Sequence, residues 1–396
     1  MCPKTSVGRW RRRAHYFLGC IVVLAAAWLV LKFTFRLPPL GPRVDSKVLE
    51  ESADTRLGRA LGASINAHPG SSGVFALADG HDAFAARALL AAAADRTLDI
   101  QYYIWHNDTT GALLFDVLRH AADRGVRVRL LLDNNNTTGL DEVLAKLDRH
   151  SNIEVRLFNP FRRPGRFLGY IVDFSRVNRR MHNKSFTVDN QATIVGGRNV
   201  ADEYFGTAAD RTFLDLDVLA IGPVVQEVSR DFDRYWASES AYPADQILPS
   251  IDTEAISRAD AKAVATERAA AAEPYLRAVA ERPFVRDLLE GTLKLEWAKT
   301  RMLSDDPAKG LGRAREEALL WPQMKAALGP PRRSLGLVSA YFVPTRGGVA
   351  AFAELARQGV KVRVLTNSLE ATDMAVVHAG YAIDERCLPM GWNCSN

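Results

Sequence analysis

The chain has 396 residues, 47% of them hydrophobic and 24% charged, which is ample for a buried core and suggests two or three domain-sized units. Its formal charge of +5 misleads: Lys4, Arg9, Arg11, Arg12 and Arg13 lie in an acid-free opening stretch, and without those five the basic and acidic counts are equal at 46. A balanced body excludes any case for nucleic acid from global charge, and four cysteines confined to the leader (Cys2, Cys20) and the tail (Cys387, Cys394) leave the redox compartment undecided.

Residues 16–31 form an unbroken apolar run. Extended across Lys32 to Phe35 it reaches about 20 residues, just enough to cross a bilayer. Lys32 can snorkel to the interface, and the five preceding cations favour a cytoplasmic N-terminus. Ala25-Ala26-Ala27 resembles a cleavage site but lies mid-run, so an uncleaved signal-anchor fits better than a cleaved signal peptide. Pro38-Pro39-Leu40-Gly41-Pro42 then breaks the chain.

From residue 83 the pattern is α/β. Hydrophobic periodicity predicts helices over 85–94, 111–123 and 140–147, alternating with strands over 98–104, 126–132 and 153–158. Such alternation argues for a largely parallel sheet covered on both faces. Asp108 and Asp133-Asn134-Asn135 fall just past strand ends, a usual place for sites and equally for turns and caps. Between Pro160 and Lys184, seven cations (Arg162, Arg163, Arg166, Arg176, Arg179, Arg180 and Lys184) interleave with aromatics against one acid, Asp173. The stretch suits a lipid headgroup layer, a solvated basic loop over core aromatics, or a nucleic-acid backbone.

The chemistry concentrates in Met181-His182-Asn183-Lys184-Ser185-Phe186-Thr187-Val188-Asp189 and the following Ile194-Val195-Gly196-Gly197-Arg198-Asn199. Period-2 alternation from Lys184 to Asp189 marks a half-buried strand, and Asp189-Asn190-Gln191 a tight turn into a second strand over 192–195. Residues two apart share a face of a strand, so His182 and Lys184 meet one anionic group while Asp189 points away, at the strand end. Imidazole serves as nucleophile or proton carrier, ammonium stabilises phosphoryl oxygens, and Gly196, Gly197 and Asn199 supply close backbone approach and a donor. A strand over 214–221 and a helix over 224–236 follow. Residues 251–330 read as helical connecting material around one strand, 293–303.

Gly125-Val126-Arg127-Val128-Arg129-Leu130-Leu131 recurs as Gly359-Val360-Lys361-Val362-Arg363-Val364-Leu365, each copy preceded by an Ala-rich helix and an aromatic strand. Such repetition means a duplicated domain. His-x-Lys occurs once, however, and the final fourteen residues lose the repeat's pattern.

The motif His-x-Lys-x4-Asp followed by Gly-Gly-x-Asn resembles the HKD motif of the phospholipase D superfamily. Together with Gln101-Tyr102-Tyr103-Ile104-Trp105-His106-Asn107-Asp108, Asn178-Arg179-Arg180 and Asp202-Glu203-Tyr204-Phe205, it is most similar to the bacterial cardiolipin synthase C-like branch. The resemblance implies a mixed α/β sheet flanked by helices, in a duplicated domain whose second copy is incomplete. It divides the chain into a cytoplasmic stub and signal-anchor (1–37), a linker and entry segment (38–82), a first phospholipase D-like domain (83–240), a helical connection (241–334), a partial second domain (335–382) and an atypical tail (383–396). Catalysis falls to His182, Lys184 and Asp189, substrate phosphate to Gly197 and Asn199, and orientation of the motif histidine to Asp215. No cofactor or metal is implied, and no metal-spaced cluster is evident in the sequence. The expected activity is phosphatidyl transfer or phosphodiester hydrolysis on phospholipids through a covalent phosphohistidine, impaired in a truncated product or completed by a homodimer. The expected place is the bacterial inner membrane, single-pass, with the body periplasmic. The alternatives are a single-motif nucleic-acid phosphodiesterase, although no nucleic acid is expected as a partner, and an inactive membrane-tethered fragment.

Overall fold

In the computed structural model of the chain, residues 6–163, 165–166, 168–208, 212–250, 272–367 and 394–395 are described. Contacts divide it into two compact units, residues 1–319 and 320–396.

The first unit opens with α1 (Ser6–Thr34). Its stretch Ala14–Thr34 is long and apolar enough to cross a membrane, and none of it is buried in protein. Helix α2 (Arg56–Asn66) and strand β1 (Ser72–Leu77) follow, within a region that the sequence suggests is only linker and entry. Then come α3 (Gly80–Ala93), β2 (Thr97–Ile104), α4 (Thr109–Asp123), β3 (Arg127–Asn136), α5 (Asp141–Asp148) and β4 (Ile153–Phe158). Two short helices, α6 (Leu168–Val172) and α7 (Phe174–Val177), lead to the hairpin β5 (Ser185–Val188) and β6 (Ala192–Gly196). Short α8 (Asp202–Phe205), β7 (Asp217–Ile221), α9 (Pro223–Trp236), β8 (Ala241–Pro243) and β9 (Glu296–Ala298) complete the nine-stranded sheet.

The strand order is β8-β4-β3-β2-β5-β6-β7-β1-β9. The sheet is mixed: only β2, β3 and β4 run parallel, and every other pairing is antiparallel. The largely parallel sheet expected from the α/β alternation holds only where helices connect the strands. A tight turn at 189–191 and the return to β7 build the rest by antiparallel pairing. The turn residues Asp189 and Asn190 have φ of +49° and +51°, which these side chains tolerate.

On one face Ile100, Tyr102, Leu130, Leu132, Phe186 and Ile194 pack with Phe84 and Leu90 of α3 and with Leu114 and Leu118 of α4 in the main core. On the other, Leu131, Phe158 and Met181 pack with Phe232, Tyr235 and Trp236 from α9.

The second unit contains a parallel sheet in the order β10 (Ser334–Val338), β11 (Lys361–Leu365), β12 (Cys394–Ser395), with the helix Thr345–Arg357 between its first two strands. The repeat read from the sequence is visible down to single bonds. Gly125 donates to Ala122 O and Val126 to Ala121 O; at the same offset Gly359 donates to Ala356 O and Val360 to Leu355 O. Both glycines have positive φ, +94° and +84°, so each helix ends in the same left-handed cap. Residues 251–271 of the connecting region and nearly all of the tail lie outside the described residues.

Candidate active site

Strand β3 runs to Asn136, longer than its apolar pattern suggests, so Asp133 lies within the strand and not past it. Its fully buried carboxylate accepts from the Met181 N–H (2.8 Å) and from Arg180 Nη1 (3.0 Å). These bonds fix the two residues ahead of His182. Burial raises the Asp133 pKa, and the Arg180 guanidinium opposes that rise.

His182 and Lys184 are brought together as their spacing requires. Lys184 Nζ lies 3.3 Å from His182 Nδ1 and donates to His182 O at 2.8 Å. The Tyr103 ring closes the other side, 4.6 Å from the imidazole centroid and 5.6 Å from the ammonium, a cation–π arrangement. Burial lowers the Lys184 pKa to about 8, against the attraction of Asp215 and Asp217. Loss of water around the ring, followed by repulsion from Lys184 and Lys309, takes His182 down to about 4.

The glycines at the end of β6 make room for carboxylates. A Cβ on Gly196 would lie 2.1 Å from Asp217 Oδ1, and one on Gly197 would lie 1.8 Å from Asp215 Oδ1. The Gly197 N–H donates to Leu216 O at 3.0 Å, so what Gly197 contributes to the site is space for Asp215. Asp215 accepts from the Leu216 N–H at 2.8 Å and acts electrostatically on Lys184; among the described residues the imidazole's near polar neighbour is Lys184. Burial raises the Asp215 pKa, partly offset by that Leu216 bond. Asn199 is buried, accepting from the Ile104 N–H (3.1 Å) and donating to Tyr204 Oη (2.8 Å). Its amide nitrogen carries a second N–H.

Asp189 stands apart. It is seven residues beyond His182, about 20 Å at strand rise, and its fully buried carboxylate accepts from the N–H groups of Asp95 (2.9 Å), Arg96 (2.8 Å) and Thr97 (2.8 Å). These charge-assisted bonds tie the hairpin to the start of β2. Asp189→Ala is therefore expected to cost about 3 kcal/mol of stability while leaving kcat of the folded protein within about threefold. Thermal unfolding and turnover measured on one preparation separate the two. A hundredfold loss of kcat at unchanged stability would instead place Asp189 in the chemistry.

Three contributors have no sequence signal of their own. Tyr103 is one aromatic among several in β2, Asp133 looks like a turn residue, and Lys309 lies far downstream. The fold also gathers a trio that linear spacing hides: ligand atoms of His106, Asp108 and Glu203 lie within 4.8 Å of one another. Asp108 is already occupied as a cap, accepting from Gly111 N at 3.0 Å and Asp202 N at 2.8 Å, while Asp202 accepts from Thr110 N at 2.8 Å in return. Capping accounts for that carboxylate without an ion.

A mixed sheet that presents His-x-Lys ahead of a hairpin ending in Gly-Gly-x-Asn is the arrangement of a phospholipase D-like domain. Residues 87–236 match the family described as cardiolipin synthase, PLD-like domain. The chain is 54% identical over 328 residues to cardiolipin synthase C of Escherichia coli, covering 83% of this chain and 69% of that protein. It is 30% identical over 347 residues to an uncharacterized protein of Helicobacter pylori, covering 86% and 68%. Among solved structures, a phosphatidylserine synthase of Haemophilus influenzae superposes with a TM-score of 0.49 at 12% identity, covering 84% of this chain and 72% of that one. The chain belongs to the cardiolipin synthase family of phospholipase D-like proteins and is by lineage an enzyme of phospholipid metabolism.

Proposed function

We propose that the protein transfers a phosphatidyl group through His182, taking it from a phospholipid such as phosphatidylglycerol and passing it to an alcohol or to water. The observation that carries this reading is the 3.3 Å approach of Lys184 Nζ to His182 Nδ1 on a segment pinned by Asp133. In the resting arrangement a charged Lys184 donates to Nδ1, which leaves the ring proton on Nε2. An arriving phosphodiester draws the ammonium to its non-bridging oxygen, water carries the ring proton from Nε2 to the vacated Nδ1, and the new Nδ1–H is held by the Asp215 carboxylate. Nε2 is thereby free to attack. A bond forms between Nε2 and phosphorus as the bond from phosphorus to the headgroup oxygen breaks. A second acid protonates that oxygen and afterwards takes the proton of the incoming alcohol, which displaces His182. The free N–H of Asn199 steadies another phosphoryl oxygen.

The second acid is a second motif histidine. This sequence carries His-x-Lys once, and a second copy paired about a two-fold axis would bring its own histidine to the first. The body lies on the periplasmic side of the bacterial inner membrane, anchored by α1 with its basic N-terminus in the cytoplasm.

The full chain in mixed micelles is expected to convert phosphatidylglycerol with phosphatidylethanolamine and to leave DNA intact. Cleavage of DNA without lipid turnover would overturn the reading. No turnover of either by a monomeric preparation would identify an inactive tethered chain.

The pH profile is fixed by the same pair. With the imidazole pKa near 4 and the ammonium pKa near 8, His182 is neutral and Lys184 charged between those values. The ratio kcat/KM is expected to fall below pH about 4 as the ring protonates, and above about 8 as Lys184 loses its charge. A basic limb that stays flat well above that value would show that the Lys184 charge does not hold the substrate phosphate.

A further inference from the structure

A cavity of about 820 Å³ lies where α1 leaves its apolar span. None of the groups around His182 lines it. Four cations face it, Lys32, Arg36, Arg176 and Arg313, against two acids, Asp173 and Glu239. Each acid is already paired, Asp173 with Arg176 and Glu239 with Arg313. The cavity thus holds an excess of two positive charges, on Lys32 and Arg36. Its other wall is apolar: Leu29 and Phe33 of α1, Val172 of α6, and Leu311.

The cavity is built into the fold. Arg162 Nη1 donates to Arg36 O at 3.0 Å, and the Phe35 ring lies against Gly165, where a Cβ would come within 2.6 Å of it. The exit of α1 is thereby tied to the segment ahead of α6. Beside it, Ile171 and Phe174 on α6 and α7 leave 63% and 58% of their surface uncovered.

We infer that this cavity is a second phospholipid site, distinct from the catalytic cleft, which holds the phosphate of an anionic lipid between Lys32 and Arg36 and the first part of an acyl chain along Leu29, Phe33 and Leu311. Charge selects the anion. The apolar wall, continuous with the membrane-crossing face of α1, selects a lipid over a free phosphate ester. A lipid held in this cavity keeps the body at the interface without using His182, so the site stands even if the catalytic reading fails.

The test is photo-crosslinking from inside the cavity. The full chain carrying p-benzoylphenylalanine in place of Leu311 is reconstituted in phosphatidylcholine nanodiscs with radiolabelled phosphatidylglycerol, or with labelled phosphatidylcholine as the control. Labelling by phosphatidylglycerol is expected to exceed that by phosphatidylcholine at least tenfold, to fall at least tenfold in the Lys32→Gln/Arg36→Gln variant, and to persist in His182→Gln. Glu239→Gln, which adds net positive charge, is expected to raise labelling, a gain that misfolding cannot produce. Equal labelling by the two lipids would show bulk bilayer and overturn the site, as would indifference to Lys32 and Arg36. Loss of the label in His182→Gln would reduce the cavity to part of the catalytic cleft. Displacement by millimolar glycerol phosphate would make it a site for soluble phosphate esters and overturn the lipid assignment.

Discussion

Replacing His182 by glutamine is expected to lower phosphatidylglycerol turnover by at least about a thousandfold, the scale on which removal of a nucleophile acts. Glutamine keeps the side chain's length and can still meet Lys184, so the loss isolates nucleophilicity from packing. The residue is exposed and contributes to neither apolar cluster, which makes the fold indifferent to the change. Two readouts check it: steady-state turnover, and retention of phosphate-labelled lipid on the acid-quenched parent but not on the variant. A variant that processes lipid at the parent's rate, or an active parent from which labelled phosphate is never recovered on His182, would end the case for a phosphohistidine. The same variant should melt within about 1 °C of the parent, since a surface substitution of this kind moves stability by no more than about 0.5 kcal/mol.

The site was legible in the sequence where function is local. A two-residue spacing on one extended segment determines that His182 and Lys184 meet, and the alternation from 184 to 189 determines that Asp189 lies elsewhere. The tight turn was legible because Asp and Asn signal positive φ. What the glycines do was not. Gly196 and Gly197 read naturally as backbone donors to an anion, yet they admit two carboxylates, Asp217 of β7 and Asp215 just ahead of it, and register across β6 and β7 is not written in either strand alone. The parallel portion of the sheet followed from helices alternating with strands. Strand β1 escaped because it lacks a clean period-2 pattern and joins the sheet beside β7, far from it in sequence. The buried ion pairs escaped for the same reason, since Arg87 and Asp217 are 130 residues apart.

That pair carries the largest expected effect on stability. Asp217 is fully buried, and its Oδ2 lies 2.7 Å from Arg87 Nη2 and 3.8 Å from Arg198 Nη1, while its Oδ1 accepts from the Arg198 N–H at 3.1 Å. Arg87 is buried with it, donating from Nε to Tyr102 Oη at 2.8 Å and from Nη1 to Ala83 O at 2.7 Å. Its charge is held by Tyr102 and Asp217 against the penalty of burial. Asp217→Ala would leave a guanidinium without a counter-charge inside the sheet–helix interface and free the Arg198 amide beside the catalytic hairpin. The expected loss is about 3–5 kcal/mol, a fall of roughly 10 °C in Tm for a unit of this size. Thermal unfolding in detergent, followed by tryptophan fluorescence, reads it. The double variant Arg87→Met/Asp217→Leu is expected to lose less than Asp217→Ala alone, because removing both charges leaves nothing unpaired. If the two losses instead add as independent changes, or if Asp217→Ala melts with the parent, the pair does not hold β7 to α3 and the placement of Gly196 and Gly197 needs another cause.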